Sequence, residues 1–506
     1  MIQRLEIENL KSLGGRHSVE MAPITLIYGP NSSGKSSLLQ ALAVLKQTLE
    51  PRAARLDIER QPLNLRGELV DLGSFGAAVH RHELKRPLRL GVQFAAGPAR
   101  PNVRPRMHAD SSGYVKLGFR LDGKSHTVKQ ADVTLGIDTH RVRYVPSKAP
   151  APAHELFSTA EGFFRVASEA NGRALLELVR HDFPGVPGGA DEHVKSVQSF
   201  LSFDPRPTFL GRGCFPVAPW LRTWGLDARA PQTARGADGA VLGTRISDVV
   251  YGPAAALTDL LSQLAYLGPL RAAPTRFQAR SGAQYSSVGA RGEHTPLFLL
   301  QLPDLIGPVN AWLERLEIRY RLEVSPVEAD TIGAEIGDLV VTRLVDTHTG
   351  IAVTPQDVGF GISQLLPVVV QVLAERGRTI CIEQPEIHIH PRLQAMLADL
   401  FIEAAEHHAN QLVIETHSEH LMLRFLRRMS EARGSGWLSP DKLCVLYVDQ
   451  DAEGVSTPQR LRLDAHGEFL DEWPNGFFTE RLEELFFGAR KRRRQVGRRT
   501  RSRHAS

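Results

Sequence analysis

The residues best suited to chemistry lie early in the chain, in the segment GPNSSGKS at 29–36. This segment fits the phosphate loop G-x-x-x-x-G-K-[ST] and stands between the apolar run PITLIY and the helical pattern SSLLQALAVLKQ. Its glycines permit a tight turn whose N–H groups, with the following helix N-terminus, hold phosphate oxygens. Lys35 is expected to reach the β- and γ-phosphates, and Ser36 to ligate Mg²⁺. The expected nucleotide contacts are Gly29, Pro30, Asn31, Ser32, Ser33, Gly34, Lys35, Ser36 and Ser37.

Three further segments follow far downstream. DVGFGISQLLPVVVQ (357–371) is typical of a Gly-rich turn that opens a helix, whereas RTICIEQPEIHIHP (378–391) and QLVIETHSEHLMLRF (411–425) begin as apolar strands. At these residues the chain resembles the ABC-type ATPases of the SMC/RecF/OLD group. Within that group it is similar to bacterial AAA-family ATPases with a DUF3696 C-terminal module, because WPNGFF (473–478) resembles the sequence that ends such chains.

The resemblance implies an α/β fold: an ABC-type P-loop NTPase head, with a mixed sheet flanked by helices and a compact inserted α+β region. We expect an N-terminal lobe at 1–90, a loop-rich insert at 91–245, a second lobe at 246–455, and a C-terminal module with a basic tail at 456–506. The insert is rich in Pro and Gly and lacks sustained heptads, so it is not the long coiled coil of SMC proteins.

Proteins of this type bind ATP between two protomers, one of which supplies the phosphate loop and the other a signature turn. The loosely matching FGISQ text makes Gly361, Ser363 and Gln364 the expected signature contacts, together with Gly359. One motif of each kind in a chain implies a head-to-tail homodimer, or a higher oligomer built from it.

The strand at 378–391 departs from the resembled pattern, which ends in Asp-Glu-Pro. Here the text is Glu383-Gln384-Pro385, so Glu383 is the expected metal ligand, with an oxygen one methylene farther out. Gln384 cannot act as a general base, because an amide takes no proton near neutral pH, but it can orient water. Glu386 is the alternative base. His417 resembles the switch histidine that contacts the γ-phosphate.

Several residues allow two interpretations. Arg66, in a loop expected to sense nucleotide, is either a phosphate contact or a solvated hairpin arginine. Arg271 and Arg276 contact nucleotide or nucleic acid, or else form surface ion pairs. The acids of YVDQDAEG (447–454) favour a hairpin turn over a nuclease site. Glu386, His388 and His390 alternate like zinc ligands but lack a complete tetrahedral set.

The composition excludes several classes of protein. A chain of 506 residues, 42% hydrophobic and 23% charged, is expected to be globular, and it has no signal-peptide core and no apolar run long enough for a membrane span. Cys381 and Cys444 lie in apolar runs and are expected to be core residues of a cytoplasmic protein. The tail 490–506 holds nine Lys and Arg; without them the net charge of +5 becomes −4. Such a tail either binds nucleic acid or only aids solubility.

The expected function is that of an ATP-dependent dimer with slow hydrolysis, acting in a bacterial DNA transaction or in antiviral (anti-phage) defence. The alternative is an ATP-gated regulatory scaffold that controls a separately encoded effector protein, such as a nuclease or toxin. Both interpretations require ATP and Mg²⁺ as cofactors and neither requires a membrane.

Overall fold

The computed structural model describes residues 1–49, 62–95, 111–124, 126–147, 156–159, 162–166, 252–280, 282–327, 339–432 and 437–474. The strands are β1 (Ile2–Leu10), β2 (Leu13–Glu20), β3 (Ile24–Tyr28), β4 (Leu88–Ala95), β5 (Ser112–Leu121), β6 (Val128–Ile137), β7 (His140–Ser147), β8 (Leu156–Thr159), β9 (Gly162–Val166), β10 (Ala265–Leu267), β11 (Phe277–Ala279), β12 (Tyr320–Pro326), β13 (Leu339–Asp346), β14 (Ala352–Val353), β15 (Thr379–Glu383), β16 (Gln411–Glu415), β17 (Leu443–Gln450) and β18 (Ser456–Leu461). The helices are α1 (Lys35–Leu49), α2 (Phe75–Ala78), α3 (252–262), α4 (Thr295–Gln301), α5 (Ile306–Arg315), α6 (Phe360–Ala374), α7 (Pro391–His407) and α8 (Glu419–Ala432).

A six-stranded sheet in the order β10-β15-β16-β3-β17-β18 forms the centre of the fold. All neighbouring strands run parallel except the last pair, β17 and β18. The phosphate-loop strand β3 therefore lies between β16 and β17, and β16 separates it from β15. Because β3, β16 and β15 run parallel, their carboxyl ends lie at one edge of the sheet. Ligands of open parallel sheets bind at this edge.

The strands of the central sheet divide their side chains between two cores. Cys381 of β15 and Val413 of β16 pack with α1 and the antiparallel strands. Their neighbours Ile382 and Ile414 pack instead with α6, α7 and α8. This division follows from the two-residue period of a strand, and each five-residue strand is buried throughout because both faces are covered. The predicted α/β fold, with a mixed sheet flanked by helices, is confirmed.

A second, antiparallel sheet has the order β2-β1-β4-β5-β6-β7-β9-β8. Strand β4 runs across residue 90, where the sequence places the start of the insert. The described part of 91–245 consists of strands, β5 to β9, that extend the sheet begun by β1 and β2. The other residues of 91–245 lie outside the described ranges, and the four-part division of the chain stays a prediction.

After β18 the chain returns to the central sheet. Trp473 packs edge-on against Tyr28 and Tyr447, with ring centroids 5.7 Å and 6.1 Å apart. The predicted hairpin at 447–454 is present. β17 and β18 pair in antiparallel fashion, and the N–H of Asp451 donates a hydrogen bond to the carbonyl oxygen of Val455 in the turn between them. The remainder of the C-terminal module and the basic tail lie outside the described residues. Within the described ranges, no helix combines the length and apolar character needed to cross a bilayer.

Candidate nucleotide-binding site

The phosphate loop follows β3 directly and has a backbone that requires glycine at two positions. Gly29 has φ +145°, and a Cβ there would lie 2.2 Å from the carbonyl oxygen of Val448. Gly34 has φ +92°, and its Cβ would lie 2.4 Å from Ser12 Oγ. Residues that carry a side chain rarely adopt such φ values, so both glycines are needed for this turn. The loop ends where α1 begins at Lys35, as the sequence predicts.

Lys35 is folded over the loop that precedes it. Its Nζ donates hydrogen bonds to the carbonyl oxygens of Pro30 at 2.6 Å and Gly29 at 3.1 Å. The side chain is buried, and burial lowers its pKa, an effect opposed by Glu415 and Glu386. The ammonium group is therefore held at the loop, where it can meet a phosphate group.

Two carboxylates end neighbouring strands beside the loop. Glu383 of β15 and Glu415 of β16 are direct partners in the parallel register, and each is only 3% exposed. Burial, and then the charge of Glu415, raises the pKa of Glu383 to about 7. Burial also raises the pKa of Glu415, an effect opposed by the Ser36 hydroxyl and by the charge of Lys35. Glu383 accepts instead from the hydroxyl of Tyr266 on β10.

The turn after β15 is tied to β16 through its backbone. Gln384 has φ +47°, and its N–H donates to the carbonyl oxygen of Glu415 at 2.7 Å. Glu386 accepts a hydrogen bond from the N–H of His417 at 2.6 Å. Burial raises the pKa of Glu386. The structure thus brings Gln384, Glu386 and His417 together, and their catalytic roles stay a prediction.

His417 begins the segment between β16 and α8. Burial, and then the charge of Lys35, lowers the pKa of its imidazole to about 4. The ring is therefore neutral at physiological pH. Its Nε2 is buried and has no hydrogen-bond partner among the described residues. A neutral imidazole can donate one hydrogen bond to a phosphate oxygen without adding charge.

The two arginines of YLGPLRAAPTR differ in burial and in partners. Arg276 forms an exposed ion pair with Asp357 at 2.9 Å, which agrees with the interpretation as a surface arginine. Arg271 is 5% exposed, and its Nη1 donates to the carbonyl oxygens of Pro269 at 2.9 Å and Gln384 at 3.3 Å. Burial lowers the pKa of Arg271 to about 10, although Glu386 and Glu383 oppose the shift. Arg271 therefore braces the turn that carries Gln384.

The Gly-rich turn opens α6 where the sequence predicts it, whereas its role as a signature turn stays a prediction. Gly359 caps α6, and Gly361 is needed because a Cβ there would lie 2.5 Å from the carbonyl oxygen of His388. Ser363 is buried and its hydroxyl donates to the carbonyl of Phe360. Gln364 is also buried. The exposed part of this helix start is Gly359 with Phe360, whose side chain is 50% exposed.

Sequence reasoning missed three residues near the loop: Lys11, Tyr266 and Glu415. Lys11 lies in the turn between β1 and β2 and donates to Gln40 at 2.6 Å; burial lowers its pKa, and Glu383 opposes this. Glu415 carried a usable signal, because it ends an apolar strand just as Glu383 does. Nothing local marks Lys11 or Tyr266, whose partners come from distant parts of the chain.

The other open interpretations resolve toward ordinary structure. Arg66 is exposed, and its backbone forms an isolated β-bridge with that of Asp71 in a short hairpin. This is the position expected of a solvated hairpin arginine. His390 caps α7 by accepting from the N–H of Arg392 at 3.2 Å. Within the described ranges, no group of three or more His, Cys, Asp or Glu residues is placed to hold a metal ion. Cys381 and Cys444 are buried free thiols, as predicted.

The donors and acceptors at this edge fit a nucleotide with Mg²⁺. The loop supplies a buried ammonium and inward-facing backbone, and Ser33 Oγ is buried without a partner among the described residues. Ser36 and two carboxylates supply the oxygen ligands that Mg²⁺ prefers. The parallel sheet, the phosphate loop and these acids define a P-loop ATPase.

Comparison with known proteins agrees with this class. A family model described as an AAA ATPase domain matches residues 1–110 and 317–422. The chain thus contains two segments that match an AAA ATPase domain, a class that binds nucleotide and usually depends on Mg²⁺. No curated protein matches the chain.

Among solved structures, the Smc head bound to the C-terminal winged-helix domain of ScpA is 13% identical, with a TM-score of 0.38; the match covers 91% of this chain and 98% of that one. The Smc head with an extended coiled coil bound to the C-terminal domain of ScpA, from Pyrococcus furiosus, is 10% identical, with a TM-score of 0.38 and coverage of 91% and 96%. The SMC head domain from Thermotoga maritima is 9% identical, with a TM-score of 0.35 and coverage of 91% and 99%.

Proposed function

We propose that the chain binds ATP at the carboxyl ends of β3, β15 and β16 and hydrolyses it slowly within a head-to-tail homodimer. The observation that supports this most directly is the convergence of Lys35, Ser36, Glu383 and His417 on one edge of the sheet. Residues 29–37 hold the phosphates, with Lys35 as their main cation. His417 meets the γ-phosphate, and Glu383 with Ser36 holds Mg²⁺, which neutralises phosphate charge when bound.

Slow hydrolysis is proposed because the turn after Glu383 offers an amide where a base is needed. Gln384 orients the attacking water but does not take its proton. Arg271 fixes the backbone of this turn, and Glu386 ties it to the segment that carries His417. The ATP-bound dimer is therefore long-lived. Gly361, Ser363 and Gln364 complete the site of the other protomer from the start of α6.

Substituting Lys35→Ala tests the nucleotide site. The variant should lose measurable ATP binding in calorimetry, since Lys35 is the ammonium held against the phosphate loop. Lys46→Ala is the matched control, because Lys46 lies in the last turn of the same helix and its Nζ donates a hydrogen bond to the carbonyl oxygen of Leu264. The control should bind ATP with wild-type affinity. Unchanged ATP affinity in Lys35→Ala would exclude this site.

The cellular role that we propose is a DNA transaction or anti-phage defence. The nine cations of the tail 490–506 support it, because clustered cations bind phosphate backbones without reading sequence. DNA should stimulate steady-state ATP hydrolysis by the full chain, and a chain ending at 489 should bind DNA more weakly, with a smaller salt dependence. Equal DNA binding by both chains at low salt would contradict this role for the tail.

The second candidate is an ATP-gated scaffold for a separately encoded nuclease or toxin. Gln384 favours this function, because a slow enzyme holds its nucleotide long enough to signal with it. The scaffold should retain ATP through gel filtration, and its affinity for the protein encoded beside it should differ between ATP and ADP. DNA-stimulated turnover with no such difference in affinity would favour the first candidate.

A further inference from the structure

Glu415 occupies a position that mirrors Glu383. The two residues are register partners at the ends of adjacent parallel strands, and they lie two residues beyond Val413 and Cys381 respectively. Val413 and Cys381 both pack in the core on the α1 side of the sheet. Because side chains two apart in a strand share a face, both carboxylates point to the side on which α1 begins.

The surroundings of the two acids differ, and Glu415 is the one influenced by the start of α1. The Ser36 hydroxyl and the charge of Lys35 both act to lower its pKa, against the effect of burial. Its Oε2 is buried without a partner among the described residues, in a side chain that is 3% exposed. Glu383 is satisfied instead by the Tyr266 hydroxyl. The serine expected to hold the metal lies in the first turn of α1, on the side of the sheet to which Glu415 points.

We propose that Glu415 is a second carboxylate ligand of the divalent cation held at Ser36, either directly or through a bound water. This inference rests on the proposed nucleotide site. Two buried carboxylates side by side repel each other, and a doubly charged cation neutralises both. Mg²⁺ in nucleotide sites is commonly held by one or two carboxylates together with phosphates and waters.

The same charge balance gives a reason for Gln384. A glutamate there would add another carboxylate to the turn that connects Glu383 with Glu386. Glu415 already supplies a second carboxylate on the side of Ser36. The amide of Gln384 therefore limits the acids around the metal to two. The departure from Asp-Glu at the end of β15 is thus matched by an acid at the end of β16.

The test measures metal binding rather than turnover. Mn²⁺ affinity is measured by electron paramagnetic resonance on the full chain with a non-hydrolysable ATP analogue, and analogue affinity is measured separately in EDTA. Glu415→Gln should weaken Mn²⁺ binding at least about tenfold, the usual size of such ligand-shell effects. Analogue affinity in EDTA should stay within about twofold of wild type, because the loop contacts are kept.

Two further variants make the result specific. Glu375→Gln removes a buried carboxylate that pairs with Arg378 just before β15, at the opposite end of the strands, and should leave Mn²⁺ binding unchanged. Glu415→Asp keeps the charge and should bind Mn²⁺ more tightly than Glu415→Gln. Equal losses in the Asp and Gln variants would overturn the inference, because charge would then not matter.

The two possible failures are distinguishable. A wild-type chain that binds the analogue, combined with Glu415→Gln that loses less than tenfold in Mn²⁺ affinity, overturns the role of Glu415 alone. A loss of analogue affinity in EDTA equal to the loss in Mn²⁺ affinity also overturns it, since Glu415 would then only shape the loop. A wild-type chain that binds no analogue overturns the proposed function as well.

Discussion

Gln384 is the residue at which this chain departs furthest from the ATPases it resembles. Its backbone is held on both sides, since the N–H donates to Glu415 and the carbonyl accepts from Arg271. The left-handed φ of +47° directs the chain sharply away from β15. These contacts fix where the side chain begins, so a substitution by the isosteric glutamate changes charge more than position.

We expect Gln384→Glu to raise the single-turnover rate of ATP hydrolysis. A general base typically contributes about 10²–10⁴-fold, and crowding with the neighbouring acids should reduce the gain to the lower end. Rapid-quench measurement under single-turnover conditions reads the chemical step directly.

Glu386→Gln is the companion variant, and it should change the rate little, because Glu386 is engaged by the N–H of His417. A wild-type rate of tens per second would contradict slow hydrolysis. Loss of turnover in Glu386→Gln would make Glu386 the base and leave Gln384 to orient water.

At the scale of elements, the antiparallel sheet is held across β4, β6 and β7 by one buried acid. Asp132 of β6 pairs with Arg89 of β4 at 2.8 Å and with Arg143 of β7 at 2.5 Å. The carboxylate side chain is 3% exposed, whereas that of Arg143 is 47% exposed. Burial would raise the pKa of Asp132, but the hydrogen bonds from Arg89 and Arg143 outweigh it and lower the pKa below the ordinary 3.8.

We expect Asp132→Asn to lower the free energy of unfolding by about 3 kcal/mol, because it removes the buried acid shared by two ion pairs and leaves Arg89 with Glu8 alone. Urea denaturation at pH 7 measures this. Asp122→Asn is the control, since Asp122 pairs with a Lys129 that is 51% exposed, and its loss should cost under about 1 kcal/mol. Equal costs for the two variants would contradict a special role for Asp132.

The same pair predicts a pH dependence. A carboxylate whose folded pKa lies below its unfolded pKa stabilises the protein fully above the unfolded value and loses that effect as pH falls through the folded one. The wild type should therefore lose stability below about pH 4, and Asp132→Asn should lose less over the same range. Parallel urea midpoints from pH 5 to pH 2 in the two proteins would contradict the low pKa.

At the scale of the whole molecule, the proposed dimer pairs the phosphate loop of one protomer with the turn at the start of α6 in the other. Gly359 and Phe360 are the exposed residues at the start of α6, and a helix N-terminus attracts a phosphate group. α6 leads into β15, near the β10 edge of the central sheet, and in our proposal its exposed turn serves the nucleotide of the partner protomer.

We expect Phe360→Glu to abolish ATP-dependent dimerisation while ATP affinity stays within about threefold of wild type, because the added charge would face the partner's phosphates. Sedimentation with saturating Mg-ATP measures the dimer. Leu470→Glu is the control, because Leu470 is 60% exposed and lies near β18, at the other edge of the central sheet. A monomeric wild type under these conditions would contradict the dimer.

The sequence by itself determined the local elements of this site. The phosphate loop between β3 and α1, the apolar strands β15 and β16, and the Gly359 start of α6 are all where the residue pattern predicts them. These features depend on contacts between near neighbours: a two-residue period for strands, glycine for positive φ, and a helix that begins after the loop.

The tertiary structure alone decided which charges became neighbours. Arg271 and Arg276 share one short segment, yet one is buried beside Gln384 and the other pairs with Asp357 on the surface. Glu415 meets Ser36 only because β16 lies between β3 and β15, and Tyr266 reaches Glu383 only because β10 pairs with β15. Strand order and register arise from pairing between distant segments, and the local sequence does not encode them.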